Sequence, residues 1–577
     1  MAGIYTVTEQ QRIRMFDNGS STATFISGDS EKDILVATFD PFAYLNPDVP
    51  GFGEKLLTRE GYDVISFQKR IENYYQDLSR EDVRSVLGSF LSRYRKLVFY
   101  GCSVGAYAAL YFGAPFEADI LAISPRVSSH AVYCQHLKLN GAHARLHQHG
   151  PIHDGTPVLA RNVVLLYDPV STLQRAAVPD IIYMDEHILP AFRSVDVRPL
   201  RHTGHPSTTP LAETHQLRPV LFQFLRSGSV DLSAYHRLKS ASPTYLVNFS
   251  AWLLQKKRLE WAISVGDKAL RLAPRSPQVV FHRIRLLLTQ GNFIGARYTA
   301  LQALEAEAAK QSHHLRLIAT FEDAGDDEGV LQIIKHAVDL NPALLPAPAR
   351  RSLSAKASTL LEKAERLEEA LSWALEANDL GEPDVHLLQR VGHLAYRLSQ
   401  WQQSLDYLDK AIGLQNDSGY SHWLRGLALG KLDRIAEAQA SLERALALQP
   451  GENYWKLQLA ELYLINWKQF EARQLIEDVA ASGPLSLGLL TFKAKLLVKL
   501  ADDRAAVETL QEAARIAPSD INIQKRLVSA YRSVGQIAEA LKQADHALAC
   551  NPNHLDLRRI RNEVLQELSF CASHGHL

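Results

Sequence analysis

Two patterns of apolar residues divide the chain near residue 240. Before that point, short runs rich in β-branched and aromatic residues alternate with helical stretches. Apolar runs without strict polar alternation are typical of strands that are covered on both faces, as in a parallel sheet. The pattern predicts strands at residues 34–39, 63–67, 97–100, 120–124, 163–167 and 195–199.

The first half of the chain is predicted to be an α/β domain. Helical patterns, such as residues 82–91, lie between the predicted strands, and this alternation indicates three layers around a mostly parallel sheet. We place this domain at residues 1–226. The segment 227–243 is predicted to be a linker, and residues 569–577 a short tail.

The second half carries an internal repeat. Prolines recur every 34 residues, and an alanine precedes each of them by twelve residues. This period is that of the tetratricopeptide (TPR) repeat, a pair of helices joined by a short turn. We predict an all-α TPR superhelix of about nine helix pairs over residues 244–568. The repeated residues are Pro450, Pro484, Pro518 and Pro552, with Ala438, Ala472, Ala506 and Ala540.

The repeat pattern also predicts a binding function. Small residues let the two helices of a unit approach closely, and the proline ends the second helix. Stacked units form a concave face, where we expect a protein or peptide partner. The aromatic residues of the repeats are expected to lie in the core rather than to contact that partner. They include Trp401, Trp423, Tyr454, Trp455 and Trp467.

Composition narrows the function classes. The 577 residues contain 63 Lys and Arg against 63 Asp and Glu, so the net charge is zero, which argues against a nucleic-acid partner. Four cysteines cannot form a disulfide framework, which favours a reducing, cytoplasmic location. We find neither a signal peptide nor a run of about 18 apolar residues, so no membrane span is expected.

Candidate chemistry lies in the first half. Gly101-Cys102-Ser103-Val104-Gly105 matches G-x-S-x-G between a predicted strand and a helix-compatible run. That context is required for a nucleophile elbow, in which a sharp turn lifts the serine hydroxyl above the sheet. We therefore predict Ser103 as a nucleophile, with the backbone N–H of Val104 as one oxyanion-hole donor.

A serine nucleophile needs a base and an orienting acid, which follow in the order Ser, Asp, His in this type of fold. Asp168 and His205 each follow a predicted strand, where α/β sheets place their sites. We prefer His205 to His202 because Gly204 gives the loop freedom to turn back over the sheet. The alternative acids, Asp185 and Glu186, lie in a helix-like stretch.

With these motifs, residues 30–226 resemble the α/β-hydrolase superfamily. The segments 52–54 (Phe-Gly-Glu) and 73–76 (Asn-Tyr-Tyr-Gln) look like a branch found beside surface-glycan and glycoprotein-export machinery. The resemblance implies a serine esterase or acyltransferase that acts on an acyl ester, possibly on a carbohydrate or glycoprotein. In this fold the second oxyanion donor comes from the loop after the third strand, here residues 40–44, so we predict the Phe42 N–H. The loop lacks a His-Gly-Gly-Gly motif, Pro41 has no N–H, and Asp40 carries a negative charge.

Neither a metal nor a cofactor is expected. Six histidines crowd residues 130–153, but no H-E-x-x-H motif or paired cysteines accompany them, so we expect a solvent-exposed insertion there. The histidines are His130, His136, His143, His147, His149 and His153.

The sequence thus leaves two functions open. In the first, Ser103, Asp168 and His205 form the catalytic triad of a serine hydrolase or acyltransferase, and the TPR repeats recruit a protein partner. In the second, the protein is a non-catalytic scaffold, in which the repeats bind proteins and the hydrolase-like domain is inactive.

Overall fold

A computed structural model describes residues 12–28, 32–126, 149–150, 152, 155–170, 182–305, 311–340 and 345–574. The chain divides into two compact units, Met1–Gly329 and Val330–Leu577. The first unit contains a sheet with its helices and the first helical repeats, and the second contains further repeats.

The sheet of the first unit is mixed: most of its strand pairs are parallel, as predicted, but the pairs at one edge are antiparallel. Its order is β1-β2-β4-β3-β5-β6-β7-β8; β1 and β2 pair antiparallel, β2 is antiparallel to β4, and the pairs from β4 to β8 are parallel. Each predicted strand is present, and two further strands precede them. The bounds are β1 Arg12–Asp17, β2 Ser21–Ile26, β3 Ile34–Phe39, β4 Asp63–Lys69, β5 Lys96–Cys102, β6 Ala118–Ile123, β7 Val163–Tyr167 and β8 Asp196–Pro199.

Apolar side chains cover both faces of this sheet. Phe39, Phe99 and Phe112 belong to one buried cluster, and Tyr100 and Phe224 to another. This two-sided burial explains why the central strands read as continuous apolar runs. The helices described beside the sheet are α1 Glu54–Arg59, α2 Arg80–Gly88, α3 Val104–Gly113, Thr208–Glu213 and Leu217–Ser227.

The predicted linker contains a short helix, Ser233–Leu238. The first repeat helix, Pro243–Gln255, begins at the last residue of the predicted linker. The Ser242 hydroxyl caps this helix by accepting a hydrogen bond from the Tyr245 N–H, and Pro243 stands at the first helical position, where a missing N–H costs nothing.

The rest of the described chain is helical, and the predicted all-α solenoid of TPR type is confirmed. The described residues form nine consecutive helix pairs and a final helix, Leu555–His574. No helix in this part of the protein is both long and apolar enough to cross a bilayer. The pairs are Pro243–Gln255 with Leu259–Leu272, Pro277–Thr289 with Phe293–Glu305, Gln311–Asp323 with Asp327–Leu340, Ala347–Lys363 with Leu367–Asp379, Val385–Arg397 with Trp401–Leu414, Gly419–Lys431 with Ile435–Leu448, Asn453–Ile465 with Gln469–Ala481, Leu487–Lys499 with Asp503–Ile516, and Ile521–Ser533 with Ile537–Cys550.

Candidate functional site

Ser103 occupies a sharp turn between β5 and α3. Its backbone has a φ of 59°, in the left-handed region that a serine rarely adopts. The two glycines of the motif are required by packing. A β-carbon on Gly101 would lie 2.0 Å from the Gly105 carbonyl oxygen, and one on Gly105 would lie 2.1 Å from the Phe39 carbonyl oxygen. Such strain at a buried serine is typical of functional sites.

His205 lies against this serine. The Ser103 Oγ is 2.8 Å from the His205 Nε2, a hydrogen-bonding distance between a hydroxyl and a base. Burial of the imidazole, with the Arg126 charge as a smaller contribution, lowers the pKa of His205 to about 4. The ring is therefore neutral at pH 7 and able to accept the serine proton.

Asp168 lies at the end of β7, but its hydrogen bonds differ from those of the predicted orienting acid. Its carboxylate accepts from the backbone N–H of Gly204 at 2.8 Å and of Val170 at 3.0 Å. Among the described residues it does not bond to the His205 ring. Asp168 thus fixes the backbone next to His205 and orients the base only through that loop.

The alternative residues lie elsewhere. The His202 ring packs against aromatic rings of the first repeat helix, 5.0 Å from Phe249 and 5.1 Å from Trp252 between centroids. Asp185 and Glu186 are exposed residues of the π-helical turn Met184–Ile188. The structure therefore brings His205, and not His202, to the serine.

A buried lysine fixes the loop after β3. Lys69 is fully buried, and its Nζ donates to the carbonyl oxygens of Asp40 at 3.1 Å and Pro41 at 2.9 Å. The N–H and C=O of a trans peptide point in opposite directions, so the Phe42 N–H points away from the lysine. Glu72 holds the next residue by accepting from the Ala43 N–H at 2.8 Å.

The Asp40 carboxylate is hydrogen-bonded to residues outside this loop. It accepts from the Phe52 N–H at 2.6 Å and from Gln68. Burial raises the pKa of Asp40, and burial lowers the pKa of Lys69. In both groups burial disfavours the charged form.

The described residues contain no cluster of acidic, histidine and cysteine side chains that could hold a metal ion. His149 is not solvent-exposed as predicted but stacks on Tyr111, with 4.2 Å between ring centroids. The other histidines predicted to lie in an exposed insertion fall outside the described residues.

The helical repeats bury their small residues where two helices cross. A β-carbon on Gly426 would lie 2.8 Å from Leu442 Cγ, and one on Gly392 would lie 2.8 Å from Leu408 Cγ. In each case the leucine comes from the second helix of the same pair. Ala438 is fully buried at the crossing. The repeat array is tetratricopeptide-like.

One protein family and several solved structures are similar to parts of this chain. The model of a family described as ChAPs (Chs5p-Arf1p-binding proteins) matches residues 434–553. No curated protein matches the chain. The chain is similar to the crystal structure of a tetratricopeptide repeat protein from Parabacteroides merdae, at 15% identity over 44% of this chain and 98% of that chain, with a TM-score of 0.35.

Two further solved structures are similar. The anaphase-promoting complex assembly Cut9–Hcn1 matches at 13% identity over 62% of this chain and 69% of that chain, with a TM-score of 0.33. Pseudomonas aeruginosa PilF matches at 17% identity over 37% of this chain and 95% of that chain, with a TM-score of 0.30.

A groove of about 630 Å³ lies in the second unit. The first helices of four successive pairs line it and contribute Tyr396, Tyr454 and Phe492, while Leu442 comes from a second helix. The expectation that the repeat aromatics are core is wrong for two of them: Tyr454 is 49% exposed and Trp467 is 86% exposed. We call the groove lined by Tyr396, Tyr454 and Phe492 the repeat groove.

Sequence reasoning missed Lys69, Glu72 and Arg126 at the serine site. Lys69 ends a strand, where the sequence shows only a charged residue after an apolar run. The backbone N–H of Arg126 donates to the Ser103 carbonyl oxygen at 3.1 Å, a contact that depends on the pairing of β5 with β6. Only the folded sheet brings these residues to one edge.

Proposed function

We propose that the protein binds a segment of another protein in the repeat groove. The observation that carries this proposal is the groove itself, which four successive helix pairs line and to which three of them contribute an aromatic side chain. TPR-like arrays commonly use such extended concave surfaces for partners. The name of the matched family, which describes binding to Chs5p and Arf1p, supports a protein as the ligand class.

The charged residues in the groove indicate the chemistry of the partner segment. Lys431 and Lys495 line it, while Glu461 is the acidic residue among the lining side chains. Lys495 and Lys499 both pair with Glu461, at 2.9 Å and 2.7 Å, so the carboxylate is compensated. We therefore expect a segment that places an apolar side chain between the aromatic rings and an acidic side chain near the lysines.

Peptide display on the full chain tests this proposal. Peptides selected on the wild type should be apolar and acidic and should lose affinity for Tyr454→Ala and Phe492→Ala. Trp467→Ala is the matched control because this exposed aromatic side chain does not line the groove. Selected peptides that bind all three variants as tightly as the wild type would place the binding surface elsewhere.

A second candidate function is acyl transfer at Ser103, which the 2.8 Å contact with His205 favours. In this reaction the Ser103 Oγ attacks the acyl carbon of an ester while the His205 Nε2 takes the hydroxyl proton. The N–H groups of Val104 and Phe42 donate to the oxyanion. The C–O bond of the ester then breaks, and the leaving alcohol takes the proton from His205.

The second half of the reaction restores the enzyme. Water or an acceptor hydroxyl loses its proton to His205 and attacks the acyl carbon of the acyl-serine. The bond between the acyl carbon and the Ser103 Oγ breaks, the acid or the new ester leaves, and His205 returns the proton to the Ser103 Oγ. The resemblance to the α/β-hydrolase superfamily and the order of Ser103, Asp168 and His205 after β5, β7 and β8 support this reaction class. The substrate that the resemblance implies is an acyl ester, with esters of a carbohydrate as a candidate class.

A fluorophosphonate probe separates this function from an inactive hydrolase-like domain. We expect the full chain to be labelled at Ser103 and the Ser103→Ala variant not to be labelled. A His205→Ala variant should lose most of the labelling rate, since the base is gone. An unlabelled wild type that is folded by circular dichroism would instead support the non-catalytic scaffold.

A further inference from the structure

The loop that carries His205 is held by side chains from two directions. We call residues 200–207, between β8 and helix Thr208–Glu213, the histidine loop. Within it, the Thr203 Oγ1 donates to the Leu200 carbonyl oxygen and lies 2.7 Å from the Ser207 Oγ. From the sheet, Ser124 is hydrogen-bonded to the Ser207 Oγ at 2.9 Å. These contacts fix the loop at Thr203 and Ser207, and the Asp168 carboxylate holds the Gly204 N–H between them.

The first repeat helix covers the middle of the histidine loop. The His202 ring lies against Phe249 and Trp252, and its centroid is 6.3 Å from that of Tyr245. The three aromatic residues come from one helix, Pro243–Gln255. Burial lowers the pKa of His202, so its ring packs there in the neutral form.

Asn248, from the same helix, lies directly over Gly204. A β-carbon on Gly204 would come within 2.5 Å of the Asn248 Nδ2, so the amide fills the space above this glycine. Gly204 has a φ of 71° and donates its N–H to Asp168, and His205 is the next residue. The repeat helix therefore limits the movement of the peptide unit that leads to the base.

Glu213 fastens the repeat helix to the sheet domain. Its carboxylate accepts from the Thr244 N–H at 3.1 Å, from the Thr244 Oγ1 at 2.7 Å, and from the Ser242 hydroxyl. Three hydrogen bonds to one carboxylate at a helix N-terminus are favourable because that end of the helix attracts negative charge. The helix is thus anchored next to the loop that it covers.

From these contacts we infer that the first repeat completes the serine site, with Asn248 and Trp252 as positioning residues for His205. This inference rests on the second candidate function, acyl transfer at Ser103. The repeats would then do more than bind a partner, because the first repeat helix adds to the contacts that hold the histidine loop, and with it the base, in place.

Two measurements on the full-length protein test this inference, with Asn248→Ala and Trp252→Ala as the variants. Trp261→Ala is the matched control, since this side chain from the same repeat is 69% exposed. Hydrogen exchange of residues 200–207 requires no activity and should speed up in both variants. The rate of fluorophosphonate labelling should fall by about 10- to 100-fold, the cost of a small misplacement of a catalytic group.

The pH profile of labelling distinguishes positioning from general loss of stability. In the wild type the acid limb should lie near the lowered pKa of His205, about 4. In the variants we expect the loosened histidine loop to let water reach the His205 ring, so the acid limb should move up towards the ordinary value of about 6.5. Arg126, the charged group that faces His205, is unchanged in these variants and cannot cause the shift.

The outcomes separate the two proposals. Unchanged hydrogen exchange in both variants would overturn the positioning role, whether or not Ser103 is labelled. Faster exchange in the variants together with an unlabelled wild type would support the packing of the repeat helix on the histidine loop. It would overturn acyl transfer at Ser103 and the positioning role of Asn248 and Trp252 in that reaction. Faster exchange with a labelling rate and pH profile equal to those of the Trp261→Ala control would also contradict the inference.

Discussion

At the scale of single residues, two partly buried histidines, whose pKa values are both lowered to about 4, have different surroundings. His205 faces a serine hydroxyl, whereas His149 is locked by partners on both nitrogens. The Leu78 carbonyl oxygen can only accept, so the His149 Nε2 carries the proton and the Nδ1 accepts from the Gln76 amide. This fixed neutral ring, stacked on Tyr111, has the character of a structural residue rather than a base.

His149 should make the protein sensitive to acid. Burial lowers its pKa from 6.5 to about 4, so the folded state resists the proton that the unfolded chain accepts. Its contribution to the free energy of unfolding is full above pH 6.5 and is lost as the pH falls towards 4. Denaturant unfolding of the wild type and His149→Phe at pH 7.5 and pH 4.5 separates this loss, at most roughly 3 kcal/mol, from those of His205 and His282, whose pKa values are also lowered to about 4. In His149→Phe the loss should be smaller, and an equal loss in the variant would contradict the assignment.

The serine site shows what single residues reveal in the sequence. Ser103, His205 and the position of Asp168 follow from local motifs at predicted strand ends, and the structure brings the first two together. The hydrogen bonds of Asp168 to the backbone were not predictable, because they depend on the exact path of the loop through Gly204. Lys69 was missed because a buried lysine is exceptional, and only its carbonyl partners explain it.

At the scale of elements, apolar runs predicted the central strands well but not the edge of the sheet. Strand β1, Arg12–Asp17, is half exposed and carries two arginines and an aspartate, so it lacks an apolar run. Strand β2, Ser21–Ile26, is buried but contains two threonines and a serine. These two strands are also those that make the sheet mixed. The helical repeats were easier to predict, because most units repeat the same 34-residue spacing.

The crossing of helices Gly419–Lys431 and Ile435–Leu448 gives a prediction about packing. Gly426→Val should lower the free energy of unfolding of the second unit by about 1–3 kcal/mol, because the new side chain collides with Leu442. Gly413→Ala is the matched control, since a β-carbon there meets no atom within 4 Å. It should stabilise its helix by roughly 0.5–1 kcal/mol. Thermal unfolding of both variants measures the difference, and equal stability would show that the crossing is looser than described.

At the scale of the whole molecule, composition and contacts divide the chain at different places. The change in apolar pattern lies near residue 240, whereas the first compact unit extends to Gly329 and includes the first repeats. The reason is tertiary: His202 packs on Trp252, and Glu213 holds Thr244. Sequence periodicity indicates whether a segment is a strand or a helix. It does not indicate that a repeat helix packs against a loop of the sheet domain.

The balance of 63 basic and 63 acidic residues also has a meaning at this scale. A zero net charge leaves recognition to local features, and in the repeat groove these are aromatic rings beside lysines. Aromatic side chains in well-packed pockets often dominate the binding energy of an interface. Partner binding therefore depends, in this proposal, on the few aromatic residues that line the repeat groove.

The central claim, that the repeat groove binds a protein segment, is tested most directly by one affinity ratio. The dissociation constant of a display-selected peptide is measured by calorimetry for the wild type and for the double variant Tyr454→Ala, Phe492→Ala. Loss of two aromatic contacts worth about 2 kcal/mol or more should weaken binding by at least about 30-fold. Equal dissociation constants for the two proteins would contradict the account.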